Sequence, residues 1–140
     1  MTALALLAAA LEVVASLVVD LSAQQLRAYD VEGRLIYRAP VSTGLPASPT
    51  PTGHFRVAAR YAETSLTGSG YRIPHVKDVM CLGGGGLRPD AICLHPAPWQ
   101  ERAKQCFGVR RSHGCVRLSS VTARWLFERT LVGTPVTIQD

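Results

Sequence analysis

From Leu17 onward the apolar residues come in short runs that alternate with polar ones, and this pattern limits the fold more than any other feature. The segments "LVVDLS", "QLRAYD", "RLIYRAPVS", "HFRVAA", "AICLH" and "PVTIQ" place side chains of opposite character on opposite sides of an extended backbone. That is the period-2 signature of strands with one buried face. Turn chemistry between them agrees. In "DVEGR", Glu32-Gly33 sits between two such segments, where glycine supplies the positive φ of a tight hairpin. "STGLPASPTPTG", residues 42–53, carries Pro46, Pro49 and Pro51 between Gly44 and Gly53; three missing backbone donors make it a loop rather than a central strand. "GGGG" at 83–86, followed by Arg88-Pro89-Asp90, is a second flexible connection. One segment has helical spacing: Ser119 or Ser120 as N-cap, then Val121, Trp125, Leu126 and Leu131, with Gly133 as the stop. The expectation is a mainly β fold with one helix near the C-terminal end.

A chain of 140 residues, 47% of them apolar, is enough for one domain with an ordinary core. Residues 42–53 are too short a loop to divide it. Fifteen Lys+Arg against ten Asp+Glu give a net charge of +5, which favours an anionic partner. The basic residues are dispersed, with no aromatic-interleaved basic run, so nucleic acid is not expected. "MTALALLAAALEVV" is apolar from Ala3 to Leu11, well short of the roughly 20 residues needed to span a bilayer. Residues 1–12 read either as an apolar lead-in or as the apolar part of a secretory signal without its basic start, as would follow from a start site placed too far downstream. Residues 13–140 then form the folded domain.

The chemistry-bearing stretch is "RRSHGCVRLSS", residues 110–120. A thiol becomes a useful nucleophile when its thiolate is stabilised and a base takes its proton. His113 and His95 are the two candidate bases for Cys115. In a strand ending at His95, Ile92 and Leu94 face one side while Cys93 and His95 face the other. Gly114 allows close backbone approach, so that the N–H groups of Gly114 and Cys115 can point at a developing oxyanion. Each part has a plainer reading, Cys115 as a small buried apolar residue and the histidines as hydrogen-bonded structural ones. Cys93-x-His95 and His113-x-Cys115 also offer four zinc-type ligands, but a spacing of one residue departs from the usual two to four, and no metal is expected. The four cysteines allow two disulfides; Cys81 and Cys106 are one candidate pair, and Cys93 reads as a packed thiol.

His95, then sixteen residues, then Ser112-His113-Gly114-Cys115-Val116-Arg117: in this order the chain resembles the L,D-transpeptidase family, the YkuD-like catalytic domain of bacterial peptidoglycan enzymes. The flanking segments are similar too, "LVVDLSAQQLRAYD" to the opening strands, "PVSTG" and "TPTGHF" to the glycine-proline loop, and "VGTPVTI" to the closing strand. The resemblance implies a β-sandwich-like catalytic domain with mixed sheets and a helix after the Ser-His-Gly-Cys motif. It implies that Cys115 attacks the third residue of a peptidoglycan stem tetrapeptide, that terminal D-alanine leaves, and that an acceptor amine resolves the thioester, without cofactor or metal. His95 would be the proton donor and acceptor, His113 an orienting and polarising residue, and the Gly114 and Cys115 N–H groups the oxyanion donors. Arg117 would hold a substrate carboxylate or brace the loop, Ser112 would contact substrate, and Arg110 and Arg111 would add positive potential. Water in place of the amine would make an L,D-carboxypeptidase, and binding without turnover a wall-binding module. The periplasm or cell wall is the implied compartment, stem peptides the implied partners, and no stable membrane insertion is expected. Many members add a peptidoglycan-binding module or an anchoring helix, and neither is read in these residues. One position departs from the family: Pro96, where a small Gly or Ser is common, removes a backbone donor beside the base.

Overall fold

The computed structural model describes residues 12–68 and 70–140. The lead-in or signal reading falls on residues 1–12, nearly all of them outside the described residues. The alternating segments become strands: β1 (Ser16–Asp20), β2 (Gln25–Tyr29), β3 (Leu35–Pro40), β4 (Gly53–Gly68), β6 (Cys93–Pro96) and β8 (Pro135–Gln139), joined by β5 (Tyr71–Gly83) and β7 (Val116–Leu118). Among the described residues two helices complete the order, α1 (Pro98–Arg102) after β6 and α2 (Ser120–Arg129) after β7. Glu32-Gly33 does lie in the turn between β2 and β3, Gly33 with φ +78°. No helix among the described residues is long and apolar enough to cross a membrane.

All eight strands join one sheet in the order β3-β2-β1-β8-β4-β5-β6-β7. It is mixed, as expected: β1 with β8 and β6 with β7 are parallel, the other neighbours antiparallel. The sheet curls until its ends meet, because Ser42, just past β3, bridges Arg117 of β7. Alternate residues then point into the main core: Leu17 and Val19 of β1, Leu26 and Ala28 of β2, Phe55 and Val57 of β4, Val116 and Leu118 of β7, Val136 and Ile138 of β8. Each large side chain removed from water in this way contributes roughly 1.5–3 kcal/mol.

Helix α2 covers this core with Ala123 and Leu126 and starts where expected, the Ser119 side chain accepting from Thr122 N–H at 3.2 Å. Its end differs from expectation. The helix stops at Arg129, and Gly133, φ +98°, belongs to the turn beyond it. The buried stripe is also shifted, since Val121 and Leu131 are exposed while Thr122, Ala123 and Leu126 are buried. Trp125 is half-buried and stacks on Tyr37 at 4.2 Å.

The alternation did not reveal β5, or β4 beyond Ala59, which pair as a long antiparallel arm. Much of this arm has neither face fully buried, so its side chains need not alternate. Register shifts on β4 and positive φ at His75 and Asp78 break the pattern further. Backbone pairing, not apolar periodicity, defines these strands.

Candidate active site

The proline- and glycine-rich loop at 42–53 folds under the segment that carries Cys115. Thr43 O accepts from Arg111 N–H at 2.9 Å and Ser112 N–H at 3.0 Å, and Leu45 N–H donates to Ser112 O at 2.9 Å. Thr50 Oγ1 accepts from Gly44 N–H at 2.9 Å and donates to Gly114 O at 2.7 Å, so one buried hydroxyl joins the two loops. Gly44 is where they come closest to themselves: a Cβ there would lie 2.2 Å from Ser48 O. Gly114 has φ +133°, a backbone conformation side chains rarely adopt. These two glycines let Cys115 stand at the start of β7 with its side chain toward a cavity.

That cavity, about 410 Å³, is lined by His113 and Cys115, by Cys93 and His95 of β6, by Arg117 of β7 and Trp99 of α1. Tyr61 and Leu66 of β4 and Tyr71 and Ile73 of β5 form its far wall. The size is ordinary for a small-molecule or peptide site. Cys115 Sγ accepts from Cys93 N–H at 3.3 Å, and its own S–H faces Ala91 O at 3.9 Å. Burial pushes the thiol above its usual range, while the Cys93 N–H and the Arg117 guanidinium pull it back down.

His95 is 4% exposed, and its Nδ1 lies 2.7 Å from Pro96 O. A carbonyl only accepts, so Nδ1 carries the proton of the neutral ring and Nε2 keeps its lone pair. The imidazole is thus oriented by the Pro96 carbonyl, a group that the proline ring does not remove. Burial lowers the His95 pKa to about 4, opposed by the Pro96 hydrogen bond and assisted by Arg117. Both shifts favour the uncharged forms of thiol and imidazole.

The remaining expected residues divide. His113 reaches the cavity wall, exposed and tilted against the Tyr71 ring at 5.5 Å. Arg117 also lines it, its guanidinium 5.5 Å from the Trp99 ring and 3.5 Å from Gln100 Oε1. Ser112 also lines the cavity, with most of its side chain turned into the loop. It is 2% exposed, and its hydroxyl donates to Cys115 O and accepts from Gly114 N–H, so it braces the loop that carries the thiol. That second bond is 3.1 Å long and engages the Gly114 amide within the loop. Among the described residues no acceptor hydrogen-bonds the Cys115 N–H, which leaves that group free to donate. Arg110 and Arg111 do not line the cavity; they donate to Leu21 O and Cys106 O and brace the loop.

The cysteine pairing also differs from expectation. Cys81 and Cys93 form a disulfide between β5 and β6, while Cys106 and Cys115 are free. Cys93 is therefore not a packed thiol, and its sulfur cannot serve the zinc alternative. Sequence spacing carries no signal for this, because the pairing depends on the register of β5, a strand the pattern did not show. Trp99 and Tyr71 were missed as cavity residues. Pro98 at the first turn of α1 is the one local signal for the short helix that presents Trp99.

Comparison with known proteins places this geometry. The profile of the L,D-transpeptidase catalytic domain (YkuD) matches residues 15–138. The probable L,D-transpeptidase 3 of Mycobacterium tuberculosis is 32% identical over 109 residues, covering 72% of this chain and 38% of that protein. An L,D-transpeptidase structure from Mycobacterium smegmatis superposes with TM-score 0.74 at 27% identity, covering 89% of this chain and 58% of that one. A cysteine-to-serine mutant of the Enterococcus faecium L,D-transpeptidase gives 0.75 at 26% identity, with 89% and 49% covered. The chain spans about two fifths of the length of the curated relatives it matches.

Proposed function

Because the chain belongs to the L,D-transpeptidase catalytic-domain family, we propose that it transfers the acyl group of a peptidoglycan stem tetrapeptide to an acceptor amine through Cys115. The observation that carries this reading is the orientation of His95: with Nδ1–H held by Pro96 O, Nε2 is the free base of a cavity it shares with the Cys115 thiol.

In the first half-reaction Nε2 takes the thiol proton as sulfur attacks the carbonyl of the third stem residue. The Cys115 N–H donates to the oxyanion, and the His95 imidazolium then returns the proton to the departing amine of terminal D-alanine. In the second, the acceptor amine attacks the thioester, gives its proton to His95, and sulfur leaves and is reprotonated. Arg117 is the cavity cation for a stem carboxylate, its guanidinium over the Trp99 ring. His113 and Tyr71 bound the substrate channel on the opposite side. The Cys81–Cys93 disulfide suits an oxidising compartment, and the proposed place of action is the periplasm or cell wall.

Intact-mass measurement after incubation with a carbapenem tests the nucleophile: one covalent adduct is expected, and none with Cys115→Ala. An adduct that survives that substitution rejects Cys115. Incubation with a tetrapeptide muropeptide should yield free D-alanine and cross-linked dimers; D-alanine without dimers would make water the acceptor, and no D-alanine would leave a binding module.

A further inference from the structure

Three of the four cysteines meet beside the cavity, and acyl transfer uses only one of them. Cys81 and Cys93 stand opposite each other in the β5–β6 register with Cα atoms 3.9 Å apart. Cys115 packs against the same small cluster, which includes Val76 and Val79. Leu82 N–H donates to Ile92 O at 2.9 Å, which makes 82 and 92 a hydrogen-bonded pair and 81 and 93 a non-hydrogen-bonded one. In such a pair the side chains come closest and both N–H groups point away from each other. The outward N–H of Cys93 meets Cys115 Sγ at 3.3 Å, one residue before β7 begins.

This donor sits where the ladder is weakest. β6 is four residues long, and its register with β5 is only Met80 with Leu94 and Cys81 with Cys93. On its N-terminal side the chain leaves for the loop that contains Gly84, Gly85 and Gly86, all at positive φ. A short strand end beside a glycine loop frays readily unless it is tied down, and the disulfide ties it at the residue whose amide touches the sulfur.

We propose that the Cys81–Cys93 disulfide positions the nucleophile, holding the Cys93 amide against Cys115 Sγ, so that reducing the disulfide slows acylation. The proposal rests on the reading of Cys115 as the nucleophile. Other polar groups around the sulfur are His95 of β6, Arg117 of β7, Tyr71 of β5 and His113 of its own loop, with Tyr61 and Asp90 bonded to each other at the rim. Among the described residues, the Cys93 amide is the hydrogen-bond donor to the sulfur. A hydrogen bond to an ionised acceptor is stronger than one to a neutral acceptor, so holding this amide in place favours the thiolate.

The test follows the pH dependence of iodoacetamide labelling at Cys115, resolved from Cys106 by peptide mass spectrometry. Three samples are compared: oxidised protein, protein reduced with a phosphine and desalted, and the double variant Cys81→Ala/Cys93→Ala, which keeps the amide and loses the tie. Reduction and the double variant should each move the labelling midpoint up by about one pH unit and slow labelling at pH 7 roughly tenfold, with unchanged far-ultraviolet circular dichroism. Re-oxidation should restore the wild type. A lower melting temperature with an unmoved midpoint would reduce the disulfide to a brace and overturn the proposal, as would faster labelling after reduction. Where the double variant fails to fold, the reduced and re-oxidised wild type decides. Labelling needs no acyl donor, so the expected shift without any carbapenem adduct would sink the acyl-transfer reading while the hold on the sulfur stood.

Discussion

Lowering the pH from 7.5 to 5 puts a proton on His95 in the unfolded chain but not in the folded one. The ring is 4% exposed and donates Nδ1–H to Pro96 O, and burial holds its pKa at about 4 against an ordinary 6.5. The folded value is the lower one, so below pH 6.5 the unfolded state binds more protons and stability falls as the pH drops toward 4. Above 6.5 both states are neutral and the contribution is constant. The whole window is worth on the order of 3 kcal/mol, of which roughly 2 kcal/mol is lost by pH 5. That is a large share of the 5–15 kcal/mol typical of a domain's stability, roughly speaking. Urea unfolding, followed by tryptophan fluorescence at pH 7.5 and 5.0, measures it in the wild type and in His95→Gln, which has no titrating ring. The wild type should lose about 2 kcal/mol more than the variant between the two pH values. Equal losses would mean that the folded protein accepts the proton at His95, and the neutral buried base on which proton transfer depends would not exist.

Three substitutions probe the loops and the cavity wall. Thr50→Val strands the Gly44 N–H and the Gly114 O in a buried place; stability in urea should fall by about 1–3 kcal/mol, with slower carbapenem acylation. Gly114→Ala meets only ordinary contact at Ile92 Cδ1, 3.4 Å away, but keeps φ +133°. The variant should fold with a loss of about 1–3 kcal/mol and, because a small displacement of a nucleophile is costly, lose roughly a hundredfold in kcat. Arg117→Lys keeps the charge and loses the guanidinium over the Trp99 ring. It should raise KM for the tetrapeptide about tenfold and leave iodoacetamide labelling of Cys115 unchanged; an unchanged KM would remove Arg117 from substrate binding.

What the sequence by itself determined is local or ordered along the chain. Leu17 and Val19, Leu26 and Ala28, Val136 and Ile138 alternate because one face of their strands is dry, and that constraint is written residue by residue. Ser119 announces α2 because capping is a contact over three residues. His95 and the Ser112–Arg117 run are recognisable in order and spacing, and the structure brings His95 and Cys115 to one cavity. The tertiary structure alone decided the rest. The outer half of β5 pairs with β4 across an arm with little burial, while Val79, Met80, Cys81 and Leu82 are all buried in succession, so no alternation marks either half. The Cys81–Cys93 bond depends on that hidden register. Ser112 and Gly114 have the residue types of a substrate contact and an oxyanion donor, and only the fold shows the Gly114 N–H donating to the Ser112 hydroxyl and that hydroxyl donating to Cys115 O. Hydrogen-bonding capacity is finite, and only the folded loop shows where it has been used, leaving Cys115 N–H and His95 Nε2 as the groups still free to act.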